Sequence, residues 1–207
     1  MRDRTAERAG YHHGSLPETL TAAALELLDE RGLEQVSVRE VARRAGVSPG
    51  APFRHFADRQ ALLTAVADRI FADFEAWQLA EVTRADGEGP VMRTLGRGFV
   101  RFAMAHPRRF ELITSRLYTA EQPAELHGRL SGIERVFTET IVADQRSGAL
   151  RPGDPEIVGL AGQALTYGLS QMIVDGFLPP ERAEELVERV LDVFGAGVAN
   201  SPSPEGG

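Results

Sequence analysis

A glycine at position 46 separates two short helix-initiation signals, and this arrangement constrains the chain more than any other feature. Ser37 and Glu40 have the spacing of a capping box, and Val38, Val41, Ala42 and Ala45 share one face of the helix they open. Gly46 stands where a left-handed residue ends a helix. Two residues later Ser48 caps again, with Pro49 at the first helical position. The spacing predicts a third helix from Ser48 to about Phe56, so residues 37–56 read as a helix-turn-helix. On pattern alone, an ordinary helical hairpin with a solvated, arginine-bearing face fits equally well.

The remainder is helical in the same way. Ser15 with Glu18 forms another capping box before Leu20, Ala24, Leu27 and Leu28, and Gly32 stops that helix. Asp58 caps a long helix whose stripe runs Leu63, Val66, Ile70, Phe74 and Trp77. After a polar loop from Thr83 to Gly89, Met92, Leu95, Phe99 and Phe102 mark a helix that His106-Pro107 breaks. Phe110, Ile113 and Leu117 mark the next, and Leu126 to Ile141 another. Asp154-Pro155 and Pro179-Pro180 open the last two, and the tail is rich in proline and glycine. No segment alternates like a strand and no repeat is present. The expectation is an all-α chain of about nine helices. It divides into a head over 1–60, a second helical domain over 61–196 and a disordered tail over 197–207.

Charge has to be read locally. The 207 residues carry a net charge of −7, which would argue against an acidic partner. Over residues 37–60, however, five arginines oppose two acids, a balance of +3. Residues 1–60 are neutral and the whole negative excess lies beyond them. Binding responds to local potential, so a polarised molecule can still present a basic end to phosphates. All 23 basic residues are arginine and there is no cysteine, which removes disulfides and thiolate chemistry. There is no unbroken run of about 18 apolar residues and no apolar N-terminal leader, so the expectation is a cytoplasmic protein without a membrane span.

The titratable groups form no acid–base pair, triad or glycine-rich phosphate loop, so no catalytic residue and no cofactor is expected. The adjacent histidines His12 and His13 lack a spaced carboxylate and read as part of an arm rather than a metal site. Trp77, Phe99, Phe102, Phe110, Tyr118, Phe137, Tyr167 and Met172 are candidates for lining an apolar pocket, with core packing as the alternative for each. Tyr118 and Tyr167 rank first, because a buried hydroxyl needs a partner. The glycines at 159, 162, 168 and 176 cost helix stability, which close helix approach would explain.

Residues 11–75 resemble the N-terminal head of TetR-type transcriptional regulators, through YHHGSLPETL, GLEQVSVREVARRAGVSPGAPFRHF and ADRQALLTAV. The resemblance implies that Ser37 and Arg39 sit at the start of the second helix against backbone and base edge. It makes Ser48, Pro49, Gly50, Ala51, Phe53, Arg54 and His55 the recognition helix, and gives Arg59 a phosphate. Arginine bidentate to guanine is the commonest base contact, which favours Arg39 and Arg54. Phe53 stands where tyrosine is usual, and Pro52 where a bulkier apolar residue often lies. RFAMAHPRRFELI is similar to a segment of the WHG branch, although Tyr167 and Gln163 stand where that branch has its histidine and tryptophan.

The same resemblance implies a homodimer through the last two helices, using Ala161, Leu165, Leu169, Val187, Val190, Leu191 and Phe194. It implies double-stranded DNA with a pseudo-palindromic operator as partner, half-sites being about 34–36 Å or a multiple apart. A largely apolar small-molecule effector, bound among the four helices expected between Met92 and Gly176, would release the DNA. The expected function is therefore a ligand-responsive repressor. An activator or ligand-independent regulator is the alternative, ahead of an all-α binder or enzyme.

Overall fold

In the computed structural model, which describes residues 15–87, 89–118 and 122–198, both halves of the first capping box close. The Ser15 N–H donates to the Glu18 carboxylate at 2.9 Å, and the Glu18 N–H donates to the Ser15 hydroxyl at 3.5 Å. A cap of this kind stabilises a helix by about 1 kcal/mol. The helix it opens, α1 (Leu16–Arg31), buries Leu20, Ala24, Leu27 and Leu28, the stripe expected from spacing. The histidine pair at 12 and 13 lies outside the described residues.

Eight α-helices and no strand occur among the described residues. After α1 come α2 (Val38–Arg44), α3 (Arg59–Arg84), α4 (Val91–Ala105), α5 (Pro107–Leu117), α6 (His127–Arg146), α7 (Pro155–Val174) and α8 (Pro180–Val198). The all-α class is as expected. The ninth helix, expected over Ser48–Phe56, is replaced by a turn and a short 3-10 segment, Pro52–Arg54. Pro52 is the cause. In an α-helix capped at Ser48 the first hydrogen bond runs from residue 52 to the Ser48 carbonyl, and proline has no N–H to make it. That carbonyl instead accepts the Ala51 N–H at 3.0 Å, three residues on, and the tighter pitch continues. At the other end, α8 extends through Gly197 and Val198, two residues into the expected tail; residues 199–207 lie outside the description.

Two compact units divide between Val66 and Ala67, within α3, and not at residue 60 as expected. The physical reason is burial: Leu62, Leu63 and Val66 are as fully enclosed in the head as Leu20, Val41 and Ala42.

The second unit is organised around α4. Gly96 lies against Thr166 of α7 and Leu191 of α8, where an added Cβ would come within 3.2 and 3.4 Å. Gly98 faces α3: its carbonyl accepts the Trp77 indole N–H at 3.0 Å. Val100, Leu169, Ile173, Ala183, Val187 and Leu191 form one cluster across α4, α7 and α8. Around Phe102, Phe74 and Trp77 pack edge to face with centroids at 5.1 and 5.8 Å. Arg93 ties α4 to Glu188 and Asp192 of α8 at 2.7 and 2.6 Å, and Arg101 does so to Glu184 at 3.1 Å.

One described helix, α7, is long and apolar enough by length and composition to cross a membrane, with mean hydropathy 1.3 over its most apolar window. It is apolar on two sides. Thr166, Leu169, Ser170 and Ile173 face the protein interior, while Ile157, Leu160, Ala161 and Ala164 repeat at helical spacing on the exposed side. A helix apolar all round needs cover on both faces.

Candidate nucleic-acid interface and effector cavity

The head begins with a capped helix and a sharp reversal. The Ser37 hydroxyl accepts the Glu40 N–H at 3.2 Å, opening α2. The reciprocal half of this expected capping box is missing, because the Glu40 carboxylate is held by Arg43 at 2.6 Å and Arg31 at 3.1 Å. At the other end Gly46 adopts φ +69°, which lets Val47 donate back to the Ala42 carbonyl at 3.0 Å and Gly46 to Arg43 at 3.3 Å. Those two bonds make a Schellman motif, and they satisfy carbonyls that the end of α2 would otherwise leave open. The chain then presents Ser48, Pro49, Gly50, Phe53, Arg54 and His55 to solvent, with Ala51 half-buried and Pro52 buried as the anchor.

The six described arginines of the head fall into three groups. Arg31, Arg43 and Arg44 pair with acids: Arg31 and Arg43 share Glu40, and Arg44 bridges Glu26 and Glu30 of α1. The Arg43 guanidinium holds the Glu40 carboxyl down at about 2, and Arg44 holds Glu30 below the usual carboxylate range. Arg59 is braced inside the head, donating to the Val36 and Leu33 carbonyls at 2.7 Å each. This corrects the expectation of a free phosphate-holding arm, since two of its donor directions are already taken. Arg39 and Arg54 are exposed, and no acceptor holds either among the described residues. They are the guanidiniums left for an outside acceptor. Beside Arg54 in sequence stands Phe53, an apolar ring left 57% exposed by the described residues.

In the second unit, α3 through α8 enclose a cavity of about 800 Å³. Its wall includes Phe71 and Phe74 of α3, Phe99 of α4, Tyr118, Phe137 of α6 and Phe194 of α8. Of the eight pocket candidates, Phe99, Tyr118 and Phe137 reach it. Phe102 and Phe110 are core residues instead, packed on Phe74 and Phe99 at 5.1 and 5.7 Å. Trp77 lines a separate cleft with Glu81, Arg84 and Arg101. Tyr167 packs against Tyr118, tilted at 51° with centroids at 4.4 Å, but does not line the cavity, and Met172 is exposed. Tyr118 is 42% exposed as a residue, but desolvation around its hydroxyl pushes it up to about 12, against an interaction with Gln163 that lowers it.

Gln163 was not among the expected pocket residues, yet it lines the cavity. So do Gly159 and Gly162, whose missing side chains admit Ile141 and Phe194. Two of the four glycines are thus explained by close approach, and Gly176 by its φ of +74° in the turn after α7. Gly168 meets nothing within 4 Å. A polar residue beside two glycines on one helix face was the available signal.

The expected dimer residues need the largest correction. Leu169, Val187 and Leu191 are 7, 1 and 4% exposed, enclosed within their own protomer. Val190 packs against the same cluster, and Leu165 and Phe194 line the cavity. Only Ala161 of the seven is exposed, beside Ile157 at 61%, Leu160 at 62%, which also borders the cavity, and Val193 of α8 at 77%. On these two helices, the apolar surface left uncovered is therefore the opposite face of α7 and the outer side of α8.

Comparison with known proteins agrees with this division. Residues 20–66 match the profile of bacterial regulatory proteins of the tetR family, and residues 92–194 that of a tetracyclin repressor-like C-terminal domain. The HTH-type transcriptional repressor AcnR of Corynebacterium diphtheriae is 34% identical over 182 residues, 83% of this chain and 85% of its own. With the class A tetracycline repressor from transposon 1721 of Escherichia coli, identity is 40% over 57 residues, which span 28% of this chain and 26% of the repressor. Among solved structures, a protein of unknown function from Rhodococcus sp. RHA1 superposes with a TM-score of 0.80 at 30% identity, covering 92% of this chain and 98% of that one. The fatty acid degradation regulator FadR of Bacillus halodurans shares the fold at a TM-score of 0.68 and 15% identity, over 89% of this chain and 96% of its own.

Proposed function

The chain belongs to the tetR family of bacterial regulatory proteins, DNA-binding transcription regulators, and on that premise we propose that it is a homodimeric repressor released from its operator by a small molecule. The observation that carries this reading is the sorting of the head's arginines. Arg39 and Arg54 stand exposed and unpaired on either side of the Gly46 turn, while their neighbours are held by acids or carbonyls. Two guanidiniums free for bidentate contacts suit base edges in a major groove. Ser48, Pro49, Gly50 and Ala51 bring the backbone close, and Phe53 and His55 complete the surface.

Dimerisation is supported by the uncovered stripe of Ile157, Leu160, Ala161 and Ala164 together with Val193. A second copy would cover it and explain an apolar helix that its own protomer covers on one side only. Two heads on one dimer call for a pseudo-palindromic operator in the cytoplasm, with half-sites about 34–36 Å or a multiple apart. For regulation, α3 supplies Phe71 and Phe74 to the cavity wall and Leu62, Leu63 and Arg59 to the head, so one continuous helix serves both. An effector that prefers the DNA-incompetent state by about 5.5 kcal/mol turns a 1:99 population into 99:1.

The test is selection of bound sequences from random DNA with the purified chain. An enriched palindrome with one fixed half-site spacing is the expected result. Failure to enrich any sequence, or enrichment of a single asymmetric site, would overturn the dimeric operator reading.

A further inference from the structure

Among the described residues of the head, Phe53 is the only large apolar side chain that stands exposed. Its backbone is held firmly. The 3-10 segment Pro52–Arg54 completes a turn in three residues, so with Pro52 buried, Phe53 and Arg54 fall on the two outward sides. The His55 and Phe56 N–H groups both donate to the Pro52 carbonyl at 2.9 Å, and Phe56 is itself buried. The ring therefore projects from backbone anchored on either side. The neighbouring stretch is open as well: a Cβ added at Gly50 would meet nothing within 4 Å.

On the reading that this turn enters a major groove, the ring has few possible counterparts there. It carries no donor or acceptor for a phosphate, and pressing it on one would strip water from the anion without replacing a hydrogen bond. For the same reason it cannot pair with the ring nitrogens, carbonyls and amino groups of the base edges. The one apolar group that base pairs display in the major groove is the C5-methyl of thymine. Packing that methyl on the ring removes both from water, which is favourable in proportion to the apolar area covered.

We propose that Phe53 is a specificity-determining residue, and that it reads one thymine in each half-site by packing its ring on the C5-methyl. Arg54, on the adjoining side of the same turn, keeps the polar contact.

The probe is the operator selected from random DNA, made as a duplex with single thymines replaced by deoxyuridine. That base keeps the pairing edge and the O4 acceptor and lacks only the methyl. Titration of the full chain by fluorescence anisotropy should find one thymine position whose replacement in both half-sites weakens binding about fifteenfold, about fourfold for each methyl no longer buried. Phe53→Ala should lose a similar factor or more on the thymine duplex, keep the parent's helical spectrum, and bind the thymine and deoxyuridine duplexes equally. Three results would overturn the proposal and leave the regulator reading standing: a selected half-site without a fixed thymine, no loss at any deoxyuridine position, or losses that all persist in Phe53→Ala. A chain that selects no sequence removes the regulator reading, and this inference with it.

Discussion

The Arg59 guanidinium reaches back from the start of α3 to donate to the Val36 carbonyl at 2.7 Å. A second bond, to Leu33, is of equal length, so one side chain fastens α3 to the linker between α1 and α2. Arg59→Ala leaves the Val36 carbonyl without its donor, while the Leu33 carbonyl keeps the Val36 N–H at 3.2 Å; loss of a hydrogen bond to a charged group costs about 1.5–3 kcal/mol at most. Urea unfolding of the DNA-free protein should show a loss of at least about 1 kcal/mol, against less than about 0.5 kcal/mol for Arg39→Ala on the surface. A variant of Arg59 that is as stable as the parent but deficient in DNA binding would return this residue to a phosphate role.

DNA binding should separate the arginines in the opposite order. Arg54→Ala and Arg39→Ala each remove a guanidinium with no internal acceptor, and a bidentate base contact is worth about 1–3 kcal/mol of discrimination. Each should relax preference at one position of the half-site. Arg43→Ala, whose side chain lies on Glu40 at 2.6 Å, should weaken binding evenly across sequences if it acts at all. Repeating the sequence selection with each variant checks this; an unchanged base preference for Arg54→Ala would remove it from the reading surface.

Much of this was legible in sequence because it is local. Capping at Ser15 and Ser37, the left-handed turn at Gly46 and the apolar stripes of α1 and α3 depend on residues within a few positions of one another. The 3-10 segment was legible in principle too, since Pro52 falls on the one residue whose N–H the first helical bond requires. What stayed hidden was which of two faces a helix turns inward. On α7, Leu165 and Leu169 look as fit for an interface as Ile157 and Leu160, and only the position of α4 and α8 decides that Leu169 is enclosed. The employment of Arg59 was hidden for a related reason: its acceptors are backbone carbonyls, which every residue has.

Gly98 tests the packing of α3 on α4. A Cβ there would collide with Oε1 of Gln78, a buried side chain whose Nε2 donates to the Leu95 carbonyl at 3.0 Å. Gly98→Ala therefore displaces the Gln78 amide or parts the helices, and overpacking of this kind costs about 1–3 kcal/mol. Adding Gln78→Ala should recover part of that loss, because the obstructing atom is gone. Thermal unfolding of the two single variants and the double variant closes the cycle, and strict additivity would show that the two residues do not oppose each other.

Acid sensitivity of the head should carry the signature of Glu40. The hydrogen bond from Arg43, with added attraction from Arg31, depresses its carboxyl from 4.5 to about 2. A depressed carboxyl contributes stability that is fully present above the unfolded value and is lost as pH falls through the folded one. The window is therefore from about 4.5 down to about 2. Carboxyl chemical shifts followed by NMR should place the Glu40 midpoint near the lower figure, and Glu40→Gln should flatten the pH dependence of stability across that window. A midpoint near 4.5 would mean that the Arg43 pair does not persist in solution.

The uncovered side of α7 yields the most decisive variant for assembly. Ile157 is 61% exposed and Val193 77%, and neither belongs to the buried cluster that joins α4, α7 and α8. Ile157→Arg should thus leave the protomer fold intact, where a charge at Val187 would unfold it. Desolvating an unpaired guanidinium inside a closed interface costs several kcal/mol, enough to dissociate a dimer held by apolar contact. Sedimentation should then report monomers with an unchanged helical spectrum. DNA binding should fall with it, since on the proposed reading one short turn and two arginines face each half-site, and the second head would bind strongly only when the first holds it near. A dimer that survives both Ile157→Arg and Val193→Arg would place the contact elsewhere on the molecule.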